Sequence, residues 1–425
     1  MAVSWLKRAT TRPAAQAEDT RPRVEALLAE IRQGGEEAIR RLARDLDGWD
    51  GDITVSRDRI DAATARLPDQ VKADIGFAHD NIRRFAEAQR ATVTECEVEI
   101  LPGLIAGQRQ IPVSAAGCYV PGGRYSHIAS AIMTVTTARV AGVPHVAACS
   151  PARPGQGIPD PILFAMDLCG ADVILNLGGV QAVAAMAMGL FGLPRADILA
   201  GPGNQYVAEA KRILYGEVGI DMFAGPTDLL VVADATADAE LVANDLVGQA
   251  EHGYNSPVWL VTDRPELAAA VMARVPQLID ALPDPNAASA RAAWADHAEV
   301  ILCDTTEEMA QVADRYAPEH LHVQAADLDW WLGRLSAYGS LFLGEETTVA
   351  YGDKCAGPNH VLPTSGAGRY TGGLSVHKFM KTVTWQRATR AASLALAPAT
   401  ARISRLEGME AHARSADVRL SKFGH

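Results

Sequence analysis

Residues 173–204 read VILNLGGVQAVAAMAMGLFGLPRADILAGPGN, and this stretch decides the fold. A short apolar run, 173–177, ends in Gly178-Gly179. An Ala-rich helical segment, 181–190, follows. A second apolar run, Ile198-Leu199-Ala200, then ends in Gly201-Pro202-Gly203-Asn204. Strand, glycine turn, helix and strand in that order make a βαβ unit and therefore a parallel sheet. Working outward, 146–149 is another strand and 128–141 another helix. A second set follows, with strands at 229–233, 258–262 and 299–303 and helices at 238–250, 265–278 and 306–315.

The expected fold is α/β, with two doubly wound Rossmann-like domains and small helical pieces at both ends. The expected division is an arm at 1–23, a catalytic domain from 24–118 and 229–373, a nucleotide domain at 119–228, and a helical tail at 374–425 without strands. Residues 24–47 and 69–90 are amphipathic helices, the first divided at Gly34-Gly35.

At 425 residues the chain exceeds one compact core. Apolar residues at 48% and charged residues at 21% describe a globular protein. A net charge of -12, with no run of Lys or Arg, argues against nucleic acid as a partner. No apolar segment is long enough to cross a membrane, and residues 1–22 lack a signal-peptide core. Six dispersed cysteines without a C-x-x-C pair fit reduced thiols and a cytoplasmic setting.

Glycines at strand-to-helix turns let backbone amides approach phosphate. Three turns qualify: Gly122-Gly123, Gly178-Gly179 and Gly201-Pro202-Gly203. None completes G-x-G-x-x-G, so each is also explained as a tight turn. Gln249 and His252 sit three apart near a helix end and share a face. A neutral imidazole is a good zinc ligand and an amide oxygen a feasible one, although favourable dipole placement is the commoner reason for a histidine there. Glu319-His320 can divide acid and base work, or form a solvated turn. Asp353 lies in the Gly/Pro-rich loop 352–360 with His360, as ligand or turn former. Glu407 and His412 fall in the tail.

These constellations, taken in order with Tyr119-Val120-Pro121-Gly122-Gly123, Asp221–Pro226 and Asn359–Thr364, resemble the histidinol dehydrogenase family across nearly the whole chain. The resemblance implies zinc held by Gln249, His252, Asp353 and His412, the last from the partner subunit of an intertwined homodimer. It implies Glu319 and His320 as the catalytic pair, an NAD site lined by Tyr119, Gln181 and Asn204, and substrate contacts at Thr227, Gln249, His252, His360 and Glu407. The implied reaction is a four-electron oxidation of a primary alcohol through an aldehyde to a carboxylate.

Departures from the family pattern bear on the substrate. Arg124 follows the Gly-Gly turn where small residues are usual, and Lys354 stands where tyrosine is usual. His322 adds a further basic group. Cations beside the site repel histidinol, itself a cation, and favour an anion. Arg124 reaching NAD phosphate and Lys354 facing solvent is the opposing reading. The departures resemble a branch that oxidises 2,3-dihydroxypropane-1-sulfonate to sulfolactate. L-histidinol is the alternative substrate, and a non-catalytic, zinc-stapled nucleotide-binding dimer is a third reading.

Overall fold

The structure is a computed structural model that describes residues 3–10, 20–122, 127–223 and 225–424. In chain order, the first strands are β1 (Ser4–Lys7), β2 (Cys96–Leu101), β3 (Leu104–Pro112), β4 (Ala115–Tyr119), β5 (His145–Ser150), β6 (Val173–Asn176), β7 (Ile198–Ala200) and β8 (Gly219–Ile220). The rest are β9 (Leu229–Ala233), β10 (Val258–Thr262), β11 (Glu299–Leu302), β12 (His320–Gln324), β13 (Ser340–Leu343) and β14 (Met380–Ala388).

The chain divides into two compact units, one of residues 1–88 and 114–379, the other of 89–113 and 380–425. The first unit holds two doubly wound sheets. One is all parallel, in the order β6-β5-β4-β7-β8. The other runs β1-β11-β10-β9-β12-β13, parallel except for β1, which joins β11 antiparallel. In each sheet the strand order reverses beside the first parallel strand: between β4 and β7 in one, and between β9 and β12 in the other. The expected α/β class is therefore present, with two such sheets.

The sequence pattern carried this much because strands covered on both faces must be continuously apolar. Leu229 to Val232 are wholly buried, and so are Ala148, Cys149 and Leu175. The helix Arg21–Asp47 bends at Gly35, whose φ of 54° breaks the helical run as the glycine pair suggests.

Three expectations change. The helix Arg21–Asp47 belongs with the first sheet, not the second, because its Val24, Leu28, Ile31 and Ile39 share a core with Leu175, Leu177 and Val183. β4 likewise begins that sheet at Ala115, before the expected boundary at 119. The tail is not wholly helical: β14 pairs antiparallel with β3, which pairs with β2. β2 and β14 are largely exposed and β3 between them is only half-buried, so the three strands lack the apolar alternation of a strand with one face in a core. In the same unit, the helices Arg390–Leu406 and Glu410–Phe423 pack through Ala397, Ala401, Ala413 and Ala416.

One buried ion pair fixes a turn. Lys211 and Asp221 are in contact inside the first sheet's domain. Lys211 Nζ also donates to the Gly201 carbonyl, while Asp221 accepts from the Gly201 and Met222 amides. Gly201 has φ of 116°, and a Cβ there would meet the Tyr119 carbonyl oxygen at 2.0 Å, so only glycine fits. Replacing Lys211 with methionine leaves Asp221 charged, buried and unpaired. We expect a loss of about 3–5 kcal/mol in denaturant unfolding. A variant as stable as the parent would show that the pair does not hold this turn.

Candidate functional site

A cleft of about 570 Å³ lies where the carboxyl end of the first sheet faces the amino end of the second. From the first sheet come Pro202, on the β7 turn, and His127 to Ser130, opening the helix Ile128–Ala141. From the second come Thr227 just before β9, Glu319 and His320 at the start of β12, Glu251 and His252 past the helix Ala239–Ala250, and Asp353, Lys354 and His360. The first sheet's switch point, between Tyr119 and the Gly201 turn, is where a doubly wound sheet places a nucleotide. The cleft thus joins such a position to a cluster of acids and imidazoles.

His320 is not on a loop. His320 opens β12, a strand buried throughout, and Glu319 immediately precedes it. The reason is local. His320, His322 and Gln324 share one face of the strand, where the period of two gives them polar partners instead of solvent. His322 has Asp245 Oδ2 at 3.2 Å and the Gly344 carbonyl at 2.8 Å. Gln324 donates to Asp245, and so does Thr348, which caps the short helix leading to Asp353. His322 therefore braces the site from behind and does not line the cleft.

A hydrogen-bonded chain runs across the cleft floor. Gln249 Nε2 donates to Thr227 Oγ1 at 2.6 Å, and Thr227 Oγ1 donates to Glu319 Oε2 at 2.5 Å. The Asp228 amide donates to the same oxygen, and the Asp228 carboxylate accepts from the Glu319 amide. His320 Nδ1 lies 2.9 Å from the Asp228 carbonyl, which fixes the ring and directs Nε2 into the cleft. That Nε2 is buried without a hydrogen-bond partner, with Asp353 Oδ1 at 3.7 Å. An imidazole nitrogen so placed is free to take a proton from a bound hydroxyl.

Burial pushes the Glu319 carboxyl up to about 8, its neighbour Asp228 adding to the shift and His320 opposing it. Burial alone would lower His320, but Glu319 and Asp353 outweigh it and hold the imidazole above its usual value. Burial works upward on Asp353 too, yet His320, His360 and His252 together hold it well below the carboxylate range. Asp353 is thus an ionised carboxylate at neutral pH, as a cation ligand must be.

Two of the four expected zinc ligands meet in the cleft, and a third lies buried behind Thr227. His252 Nε2 is 3.7 Å from Asp353 Oδ2, and Gln249 is buried one helical turn away with its amide nitrogen committed to Thr227. Its amide oxygen is the remaining donor. Among the described residues no three His, Cys, Asp or Glu side chains form a complete cation site. The donor chemistry fits a divalent cation. Glu407 and His412 lie exposed in the second unit.

The other expected residues divide. Tyr119 is buried, its hydroxyl accepting from the Gly179 amide. Gln181 is turned to Asp47 and does not line the cleft. Asn204 caps the helix Gln205–Leu214 with its side-chain oxygen, which leaves its amide nitrogen for a ligand. Arg124 falls outside the described residues. Sequence reasoning passed over His127 and Ser130, which line the cleft, and Asp228 and Asp245, which hold it. His127 follows the Gly-Gly turn closely, and that proximity was the available signal.

A switch point of the kind that holds nucleotides lies beside a buried acid–imidazole pair, and a nucleotide-dependent dehydrogenase uses both. The chain matches the family model described as histidinol dehydrogenase over residues 10–420 and belongs to that family. It is 63% identical, over its whole length and 97% of the relative's, to a protein of Ruegeria pomeroyi named sulfopropanediol 3-dehydrogenase. It is 38% identical, over 93% of its length and 92% of the relative's, to the histidinol dehydrogenase of Methanothermobacter thermautotrophicus. The solved histidinol dehydrogenase of Elizabethkingia anophelis superposes with a TM-score of 0.92 at 32% identity, covering 98% of this chain and 96% of that one.

Proposed function

We propose that the protein oxidises 2,3-dihydroxypropane-1-sulfonate at its primary alcohol to sulfolactate, using two NAD molecules and a bound zinc. The observation that carries this reading is Lys354 in the cleft wall, next to Asp353 and among the imidazoles of His127, His252 and His360. An ammonium at that place gives an anion a charge-assisted hydrogen bond and repels the cationic histidinol. The name of the 63% identical relative supports it.

Gln249, His252 and Asp353 would hold zinc, with His412 supplied by the partner subunit of a homodimer. The metal, when bound, would polarise and orient the substrate oxygens. NAD would lie at the switch point formed by Tyr119 and the Gly201 turn, with Asn204 beside it. Arg124 and Glu407 would complete the substrate contacts.

His320 Nε2 accepts the hydroxyl proton as hydride leaves the same carbon for NAD, giving the aldehyde. Glu319 then takes a proton from water as its oxygen adds to the aldehyde carbon. A second hydride leaves the hydrate, and proton loss gives the carboxylate. Retaining the aldehyde between steps keeps a reactive carbonyl out of solution.

The test is NADH formation by the metal-loaded enzyme from the sulfonated diol and from L-histidinol. Two NADH per sulfonated diol, with kcat/KM above that for histidinol by tenfold or more, is the expected result, about the weight of one charge-assisted hydrogen bond. Turnover of histidinol alone would overturn the substrate, and NAD binding without NADH from any alcohol would overturn catalysis.

A further inference from the structure

We infer that Asp245, a carboxylate outside the cleft, is a positioning residue that sets the spacing of the expected zinc donors. It does so by tying the turn that bears Asp353 to the helix that bears Gln249 and to the strand that bears His320. The inference rests on the cation set of the functional reading above.

Asp245 lies on the helix Ala239–Ala250, one turn before Gln249, and that helix ends just ahead of His252. Its side chain is only 14% exposed and does not line the cleft. Both of its oxygens are engaged by other segments. Oδ1 accepts from Thr348 Oγ1 at 2.8 Å. Oδ2 accepts from Gln324 Nε2 at 2.8 Å and lies 3.2 Å from His322 Nδ1, so the carboxylate is joined to β12.

Thr348 passes this anchorage on to Asp353. It caps the short helix Val349–Gly352, its Oγ1 accepting from the Ala350 amide. The Asp353 amide closes the turn on the Val349 carbonyl at 2.8 Å. The Asp353 carboxylate therefore projects from a single turn whose leading residue is held by Asp245. Val349 is buried in the same core as Leu246 and Val247 of the Asp245 helix.

A second contact fixes the turn against the strand. The Phe342 ring centroid lies 6.1 Å from that of His320 and 6.2 Å from that of His322. A Cβ on Gly352 would meet the Phe342 ring at 2.6 Å, so the close approach leaves room for no side chain there. Asp353 thereby comes to 3.7 Å from both His252 Nε2 and His320 Nε2. Zinc takes nitrogen and oxygen donors at about 2.0–2.2 Å, with a tolerance of about 0.2 Å. A turn free to drift further than that loses affinity, and groups that orient metal ligands are typically worth about 10- to 100-fold.

The experiment measures zinc affinity of the full chain by competition with a chromogenic chelator, and the visible spectrum of the cobalt-loaded protein. Thr348→Val keeps the shape of the side chain but removes the hydroxyl, whereas Thr348→Ser keeps the hydroxyl. Asp245→Ala removes the acceptor, and the double variant tests whether the two residues act as one unit. Val271→Ala opens a cavity in the same core, away from every expected donor, and controls for lost stability.

Thr348→Val and Asp245→Ala are each expected to weaken zinc binding by about 10- to 100-fold and to alter the cobalt bands. The double variant should bind no more weakly than Asp245→Ala, since removing one partner already breaks the link. Thr348→Ser and Val271→Ala should stay near the parent. Unmoved affinity in Thr348→Val overturns the inference, as do losses that multiply in the double variant or an equal loss in Val271→Ala. Should Asp245→Ala fail to fold, the valine and serine variants still decide. A parent chain that binds no zinc overturns the cation set of the functional reading and, with it, the inference.

Discussion

Replacing His320 with asparagine lowers alcohol oxidation by about 10²- to 10⁴-fold, the usual weight of a positioned general base, and leaves the metal bound. His320 touches none of the expected zinc donors within hydrogen-bond distance, and its Nε2 is the one cleft-facing imidazole nitrogen that is buried and unpartnered among the described residues. Glu319→Gln acts later. Its amide still accepts from Thr227 but cannot take a proton from water, so the aldehyde is not hydrated. Single-turnover experiments with enzyme in excess over the alcohol and at least two equivalents of NAD separate the two variants: His320→Asn fails at the first NADH, Glu319→Gln at the second. First-turnover rates equal to the parent in His320→Asn would remove the histidine from its role.

The same pair sets a pH dependence whose sign can be worked out. Burial lowers the His320 pKa, and the negative charge of Glu319 is the largest influence raising it. Removing that charge leaves burial opposed only by Asp353 and the Asp228 carbonyl, so the pKa falls and the imidazole stays neutral to lower pH. Because the neutral form accepts the proton, the acid limb of the first hydride transfer in Glu319→Gln moves to lower pH. A limb that stays in place, or moves up, contradicts the coupling.

How much of this was legible in the sequence follows from what each element has to bury. Strands such as Leu229–Ala233 and helices such as Ala239–Ala250 announce themselves because both faces of each sheet are covered. β12 does not, since His320, His322 and Gln324 put polar atoms on a buried face, where Asp228 meets His320, and Asp245 and Gly344 meet the other two from distant segments. A sequence cannot show those partners, so the run reads as a loop. β2 and β14 are silent for the opposite reason, being largely exposed along their length.

The site divides in the same way. Gln249 and His252 are legible from their helical spacing, and Asp353 from its place in a polar loop. Thr227 contributes through its hydroxyl, which links Gln249 to Glu319. Asp228 contributes mainly through its backbone carbonyl and amide, and composition carries no trace of that.

Two inactive variants should restore one another. Within one chain, the unit carrying the cleft supplies Gln249, His252 and Asp353, while His412 sits exposed on the helix Glu410–Phe423 of the other unit. If a partner's His412 completes each zinc set, then His320→Asn and His412→Asn damage different subunits' contributions to a site. In a hybrid dimer, the His412→Asn subunit keeps its own His320 and receives an intact His412 from its partner. Its site is whole, and the other site carries both defects. Random pairing after co-expression makes half the dimers hybrid, so about a quarter of parental activity returns, from two variants that each retain about a hundredth or less. Were every site built from one chain, both sites of the hybrid would carry a defect and no activity would return. Sizing chromatography of the mixture shows whether dimers formed, so a null result with dimers present refutes shared sites.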